Sequence, residues 1–391
     1  MRIGVDASCW ANPRGYGRFT RNLLNVMIAL EPEHDYVFFI DSVAGQQCRF
    51  PEGVEVITVP SSSAATEAAS ASGYRSPTDM LRMGKAVSRI PLDILFYPSV
   101  YTYFPARTSA KTIVTFHDVI AEWYPQMVFP NFRARLFWGL KTWLARFQAD
   151  LILTVSEFSK QGIVQYFKIS PQKVAVTLEA ADAMFHPVSM NDELQRIRRK
   201  YNLEKTDRFF LYVGGIAPHK NLKTLINAFH LFQQSVNDPR FKLLIVGDFE
   251  GDAFWMDPEI STRARERTQS GDIRFTGYAP DEDLPLLYST ADALVLPSFC
   301  EGFGLPALEA MACGTPVIGS ETTSLPEVVG DAGLFFHPND TAQLAAHLQT
   351  LQENNHLKEQ LSEKALRRAQ QFTWEKAART VLRVMKNLTE A

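Results

Sequence analysis

The chain has 391 residues, 46% of them hydrophobic, so it can bury two cores of ordinary size, and two domains are expected rather than one. Its formal net charge of −3 leaves no basic footprint for nucleic acid. Cys9, Cys48, Cys300 and Cys313 form no C-x-x-C pair, and no apolar run reaches the roughly 18–20 residues of a membrane span. With strand-like Met1-Arg2-Ile3-Gly4-Val5-Asp6 at the start and no leader ahead of it, a reduced, cytoplasmic setting is expected.

Ile3-Gly4-Val5 reads as a first strand, followed by the loop Arg14-Gly15-Tyr16-Gly17-Arg18. The next stretch places Phe19, Leu23, Leu24, Val26, Met27 and Leu30 at helical spacing. This βα loop lacks G-x-G-x-x-G, which counts against a nicotinamide or flavin site. Open α/β sheets bind ligands beyond the carboxyl ends of their strands, so the loop should face a cleft; the plain alternative is a tight turn. Strands follow at Tyr36–Ile40, Val54–Val59 and Ile94–Tyr97, and the Ser- and Ala-rich segment Ser61 to Gly73 reads as a loop over that cleft.

Thr112-Ile113-Val114-Thr115-Phe116 is a buried strand with His117-Asp118 at its end. A histidine there can donate to a sugar hydroxyl or a carbonyl oxygen. From Tyr124 to Ala149 there are no acids, while Arg133, Arg135, Lys141 and Arg146 alternate with large apolar residues. Two readings stay open: a basic aromatic helix lying through 129–147 on the inner face of a membrane, or a core helix with a solvated basic face. The second is favoured, because the apolar residues fill more than one face.

Strands at Leu151–Val155 and Val174–Thr177 precede the turn Glu179-Ala180-Ala181-Asp182. The charge-dense stretch Asn191 to Asp207 marks a boundary, giving domains 1–190 and 191–372. The second half restarts with the strand Phe209–Val213, then Gly214-Gly215-Ile216-Ala217-Pro218-His219-Lys220-Asn221 and a helix. Strand, glycines and a lysine at a helix mouth make a phosphate-binding arrangement, without P-loop spacing. Two more strands, Lys242–Val246 and Ile273–Thr276, follow, the latter ending in Gly277-Tyr278-Ala279.

The strand Ala293-Leu294-Val295-Leu296-Pro297 leads into S-F-C-E-G-F-G-L-P-A-L-E-A-M-A-C-G, residues 298–314. Gly302 and Gly304 flank Phe303, and Pro306 suits the first turn of a helix starting near Leu305 that Gly314 ends in a left-handed conformation. A helix N-terminus beside glycines is an anion site. Glu301 on the loop and Glu309 on the helix would then accept hydrogen bonds from sugar or ribose hydroxyls carried by a phosphate; the plain alternative is a capped helix with one solvated acid. Asp281-Glu282-Asp283 reads as an acidic helix start and not as a metal-ligating D-x-D, so no metal and no other cofactor is expected. A last strand at Gly333–Phe336 and an amphipathic tail from Thr373 to Leu388 complete the chain.

The run E-G-F-G-L-P-A-L-E-A-M-A-C-G-T-P-V-I resembles the signature of retaining glycosyltransferases of family 4. The resemblance implies an α/β fold of GT-B architecture: two doubly wound Rossmann-like domains facing a cleft, with the helix 373–391 crossing back to the first. It implies donor binding chiefly on the second domain, acceptor binding on the first, and Glu301, His117 and Lys220 as the catalytic residues. Gly15, Gly17, Gly214, Gly215, Lys220, Tyr278, Gly302, Phe303, Gly304, Leu305 and Glu309 are the implied donor contacts. Glu301 meets the transferred sugar, Glu309 the ribose, Lys220 the diphosphate and Tyr278 the base. Many relatives carry an arginine where this chain has Gly215, which shifts charge neutralisation to Lys220, the helix N-terminus, and His219 or Arg18. Relatives often have Asn-Gly-Val-Asp where this chain has Glu179-Ala180-Ala181-Asp182. The segments R-G-Y-G-R-F-T-R-N-L and Y-V-G-G-I-A-P-H-K-N resemble bacterial mannosyltransferases of polysaccharide assembly, implying GDP-mannose first and uridine diphosphate sugars next. The partners implied are a nucleotide-sugar donor and a glycan, lipid-linked or small-molecule acceptor. A sugar-nucleotide epimerase or glycosyl phosphorylase of the same architecture, and a non-catalytic nucleotide-sugar binding protein, are the competing readings.

Overall fold

The computed structural model describes residues 1–12, 15–46, 48–66, 76–189, 191–236, 238–248, 257–266 and 271–390. The chain forms two compact units. One comprises Met1–Glu179 with Thr373–Ala391, and the other lies within 180–372. The chain leaves the first unit at Glu179, ahead of the charge-dense stretch taken from the sequence as the boundary. Arg14 and residues 67–73 of the proposed cleft loop lie outside the described residues.

In the first unit seven parallel strands pair in the order β3-β2-β1-β4-β5-β6-β7: β1 Arg2–Asp6, β2 Asp35–Asp41, β3 Glu55–Val59, β4 Ile94–Tyr97, β5 Lys111–Thr115, β6 Leu151–Thr154 and β7 Val174–Val176. β1 and β4 are near-continuous apolar runs buried on both faces, as parallel strands must be when helices cover both sides of the sheet. The helix Gly15–Leu30 buries Phe19, Leu23, Leu24 and Met27 completely. It packs against the C-terminal helix Trp374–Glu390, whose Ala377, Ala378, Val381, Leu382 and Met385 make one buried stripe at helical spacing. Thr177 fastens that helix by donating to the Ala377 carbonyl at 3.2 Å.

The second unit has six parallel strands in the order β10-β9-β8-β11-β12-β13: β8 Arg208–Val213, β9 Phe241–Val246, β10 Ile273–Gly277, β11 Ala293–Leu296, β12 Val317–Ser320 and β13 Gly333–Phe336. Strand order reverses where β8 lies beside β11, with Phe210 opposite Ala293 and Leu211 opposite Leu294. In a doubly wound sheet this switch point opens a crevice at the carboxyl ends, so the loops after β8 and β11 are the ones positioned to hold a ligand.

The helix Phe132–Gln148 overturns one expectation. Its buried residues are only Thr142 and Ala145, while Phe132, Leu136, Phe137, Leu140, Trp143 and Phe147 are 52% to 79% exposed. Small side chains let the helix lie close to the sheet, and these six large ones project away from it. They are therefore not core, whereas Trp138 and Leu144 of the same helix pack against the core as expected. Among the described residues no helix is long and apolar enough to cross a membrane.

Candidate active site

Past β8 the chain makes a short turn, Pro218–Lys220, that ends with Asn221 in the left-handed region at φ 57°. Asparagine tolerates this conformation, and its side chain does further work. Its Nδ2 donates to the carbonyls of Pro297, at 3.0 Å, and Pro338, at 2.7 Å. The Phe299 amide donates to the His219 carbonyl at 2.9 Å. These bonds fasten the turn after β8 to the loop after β11, the two sides of the switch point. The result brings together two residues 81 positions apart: Lys220 Nζ lies 2.8 Å from both Oε1 and Oε2 of Glu301. Ser298 adds a 2.5 Å hydrogen bond to Oε1. The side chains of Lys220 and Glu301 remain 21% and 11% exposed, so the pair is sheltered but reachable.

Gly214 donates its amide to the Val246 carbonyl at 3.0 Å, and the Gly215 carbonyl accepts the Tyr212 hydroxyl at 2.7 Å. Tyr212 itself is wholly buried, and burial together with the Glu301 charge holds its hydroxyl protonated far above the usual range. His219 does not supply the positive charge considered for it. Burial, then the neighbouring Lys220 ammonium, pushes its imidazole down to about 3, so it is neutral at physiological pH.

The helix Leu305–Ala312 begins at Gly304, which takes φ 96° and would place a Cβ 2.6 Å from Leu325 Cδ2. Only glycine meets both conditions without strain. No side chain caps this helix, but Pro306 has no N–H and the Ala307 amide donates to the Gly304 carbonyl at 2.9 Å, so of its first turn it is the Leu305 amide that an anion could meet. Gly314 takes φ 79° just past the far end. Phe303 is buried, with its ring edge-on to Phe372 at 6.0 Å and its carbonyl held by Ser324 Oγ at 2.9 Å. It shapes the loop from beneath, and Gly302 and Leu305 are its more accessible neighbours. Glu309 sits deeper than a solvated acid, 3% exposed, and accepts the Tyr288 hydroxyl at 3.0 Å. Burial, with the Glu309 charge adding to it, raises the Cys313 thiol to about 12. Tyr278, after β10, is 64% exposed.

Gly15, Gly17 and His117 belong to the first unit. Gly15 opens its helix and is exposed. A Cβ on Gly17 would fall 1.9 Å from the Asn12 carbonyl oxygen, so this glycine serves the packing of the helix start on the loop after β1. His117 donates from Nε2 to the Pro98 carbonyl at 3.1 Å, while Nδ1 faces Glu179 Oε1 at 3.5 Å. Its ring stands edge-on to Phe19 at 4.9 Å. Both ring nitrogens thus face oxygens of this unit, a constraint that the strand-end position alone did not reveal. Asn221, Ser298, Tyr288 and Tyr212 were not singled out from the sequence; only the Asn directly after Lys220 carried a local cue, as a left-handed helix-start residue. Glu31, Glu33 and His34 are the one cluster of potential metal ligands found among the described residues. They precede β2, at the amino edge of the sheet, opposite to His117.

Known proteins carry the same framework. Residues 13–182 match the model of Glycosyltransferase Family 4, and residues 194–368 match that of Glycosyl transferases group 1. O-antigen chain mannosyltransferase B of Escherichia coli is 38% identical over 293 residues, covering 73% of this chain and 72% of that protein. Serotype-specific mannosyltransferase WbdA of Escherichia coli is 31% identical over 277 residues, 68% of this chain but 32% of WbdA, so this chain matches about a third of that longer protein. Sucrose-phosphate synthase from Thermosynechococcus elongatus superposes with a TM-score of 0.75 at 20% identity, over 99% of this chain and 98% of that one. The chain is an enzyme of the GT-B fold and belongs to the group 1 glycosyltransferases of family 4.

Proposed function

We propose that this glycosyltransferase moves a mannosyl group from a nucleoside diphosphate mannose, GDP-mannose first, onto a mannose-containing glycan with retention of configuration and without a divalent metal. The mannosyl reading draws on the relatives named as mannosyltransferases. The observation that carries the site is the Lys220–Glu301 pair at the switch point, beside an uncapped helix start. Departure of a nucleoside diphosphate builds negative charge on phosphate oxygens. An ammonium and preorganised amides in a sheltered site stabilise that charge, and removing one such donor typically costs about 10²–10³ in turnover. In the free enzyme Glu301 holds Lys220 in place and neutralises it. An arriving diphosphate competes for the ammonium, and the carboxylate so released accepts hydrogen bonds from sugar hydroxyls. On this reading Glu309 accepts from the ribose and Tyr278 meets the base, which the Tyr288 hydroxyl bond to Glu309 and the exposure of Tyr278 support.

A thermal-shift panel of nucleoside diphosphates and their sugars, with and without magnesium, tests the donor. A ligand that binds only the folded protein raises the midpoint, by about 2.7 kcal/mol of stability at a hundred times its Kd. A shift with the guanosine series that is indifferent to magnesium is expected. Lys220→Met and Glu301→Gln should lower mannosyl transfer by about 10²–10³ while the fold survives. Near-normal turnover in both purified variants would remove Lys220 and Glu301 from the reaction.

A further inference from the structure

The helix Phe132–Gln148 presents an apolar surface that the glycosyl-transfer site does not use. At about 100° per residue, Phe132, Leu136, Leu140, Trp143 and Phe147 fall within an arc of about 80°, and Phe137 lies about 60° past its edge. All six are more than half exposed. Trp143 and Phe147 stack at 5.7 Å, with ring planes 17° apart, which makes one continuous aromatic ledge. A contiguous patch of this kind on a folded protein marks a docking surface.

Charge decides the occupant. Arg133, Arg135, Lys141 and Arg146 lie on the same helix, and no acid occurs from Tyr124 to Ala149. Two copies of the helix packed face to face would bring like charges together, whereas an anionic bilayer surface neutralises them and takes up the apolar arc. Aromatic rings suit the headgroup boundary, and a 17-residue helix lying flat covers about 26 Å of it. Beside the arc a cavity of about 340 Å³ opens, lined by Arg135, Arg146, Glu122, Trp138, Phe129 and Tyr166 among others. Arg135 is exposed and extends the positive rim, whereas Arg146 lies over the Phe167 ring at 4.1 Å and donates to the Thr142 carbonyl at 3.2 Å.

We propose that the exposed face of Phe132–Gln148 docks this enzyme on an anionic lipid bilayer, with the apolar arc entering the headgroup boundary and the exposed Arg133 and Arg135 meeting lipid phosphates. The helix lies on the surface and does not span it.

Co-sedimentation of the full chain with vesicles tests this independently of any sugar transfer. The chain is expected to pellet with phosphatidylglycerol–phosphatidylcholine vesicles, to pellet at least about tenfold less with phosphatidylcholine alone, and to be released by high salt. Leu136→Gln with Phe147→Gln should weaken binding by about tenfold or more, since each withdraws a large side chain from the apolar phase. Arg133→Glu should weaken binding to anionic vesicles while leaving the arc intact. Both variants alter exposed positions, and an unchanged thermal midpoint verifies that they fold. Equal pelleting with neutral and anionic vesicles, or none with either, would overturn the proposal. So would a lipid-free dimer in analytical ultracentrifugation that the double variant dissociates, which would assign the face to a second copy.

Discussion

Replacing His219 by glutamine isolates the energetic consequence of a buried neutral imidazole. The side chain is 7% exposed, its Nδ1 has no hydrogen-bond partner among the described residues, and Lys220 is adjacent in sequence. Burial and that charge hold its pKa at about 3, against 6.5 in an unfolded chain. Below pH 6.5 the unfolded chain therefore binds a proton that the folded one refuses. Stability attributable to this group is complete above pH 6.5 and is lost as pH falls towards 3. Between pH 8 and pH 5 the loss amounts to about 2 kcal/mol, or about 4–8 °C of melting midpoint for a unit of this size. Circular dichroism melts of wild type and His219→Gln at both pH values provide the test. The wild type should lose more than the variant on acidification, by that margin, whatever the offset between them at pH 8. Parallel losses would refute the assignment of a depressed pKa to His219.

Glu122 titrates in the opposite sense. Burial raises it to about 7 despite the 2.7 Å hydrogen bond it accepts from Trp138 Nε1, so stability falls as pH rises from 4.5 to 7; Glu122→Gln should remove up to about 3 kcal/mol of that slope in melts taken across the range. Gly304→Ala combines a left-handed backbone with a Cβ forced against Leu325, and a loss of about 1–3 kcal/mol is expected in urea unfolding, together with weaker nucleotide binding. Tyr288→Phe removes the hydroxyl that holds Glu309 and should cost about 1.5–3 kcal/mol in the same assay.

The strands and the helix starts were readable because each rests on local chemistry. β8 and β11 are apolar runs bounded by glycine or proline, and Leu305, Pro306 and Gly314 mark their helix by backbone preference alone. The doubly wound order follows from alternating strands and helices. The pairing of Lys220 with Glu301 was not readable, because it depends on loops joined by Asn221 and by the Phe299 amide across 76 to 80 residues of chain. The helix Phe132–Gln148 misled for a related reason. Its composition gives an apolar stripe, but which stripe meets the sheet is set by the small residues Thr142 and Ala145, and a hydrophobic period does not say which face those occupy.

The C-terminal helix has a bearing on the order in which this protein can be completed. Trp374–Glu390 covers the helix Gly15–Leu30 within a unit whose other residues end at Glu179. On the ribosome, roughly 190 intervening residues are made at about 5–20 per second before that cover emerges, a wait of about ten to forty seconds. Throughout that interval the first unit lacks the helix that buries its flank, and the second unit can fold to completion. Nascent chains stalled before Thr373 should therefore bind trigger-type chaperones through the first unit, and release from them should coincide with the synthesis of the last helix.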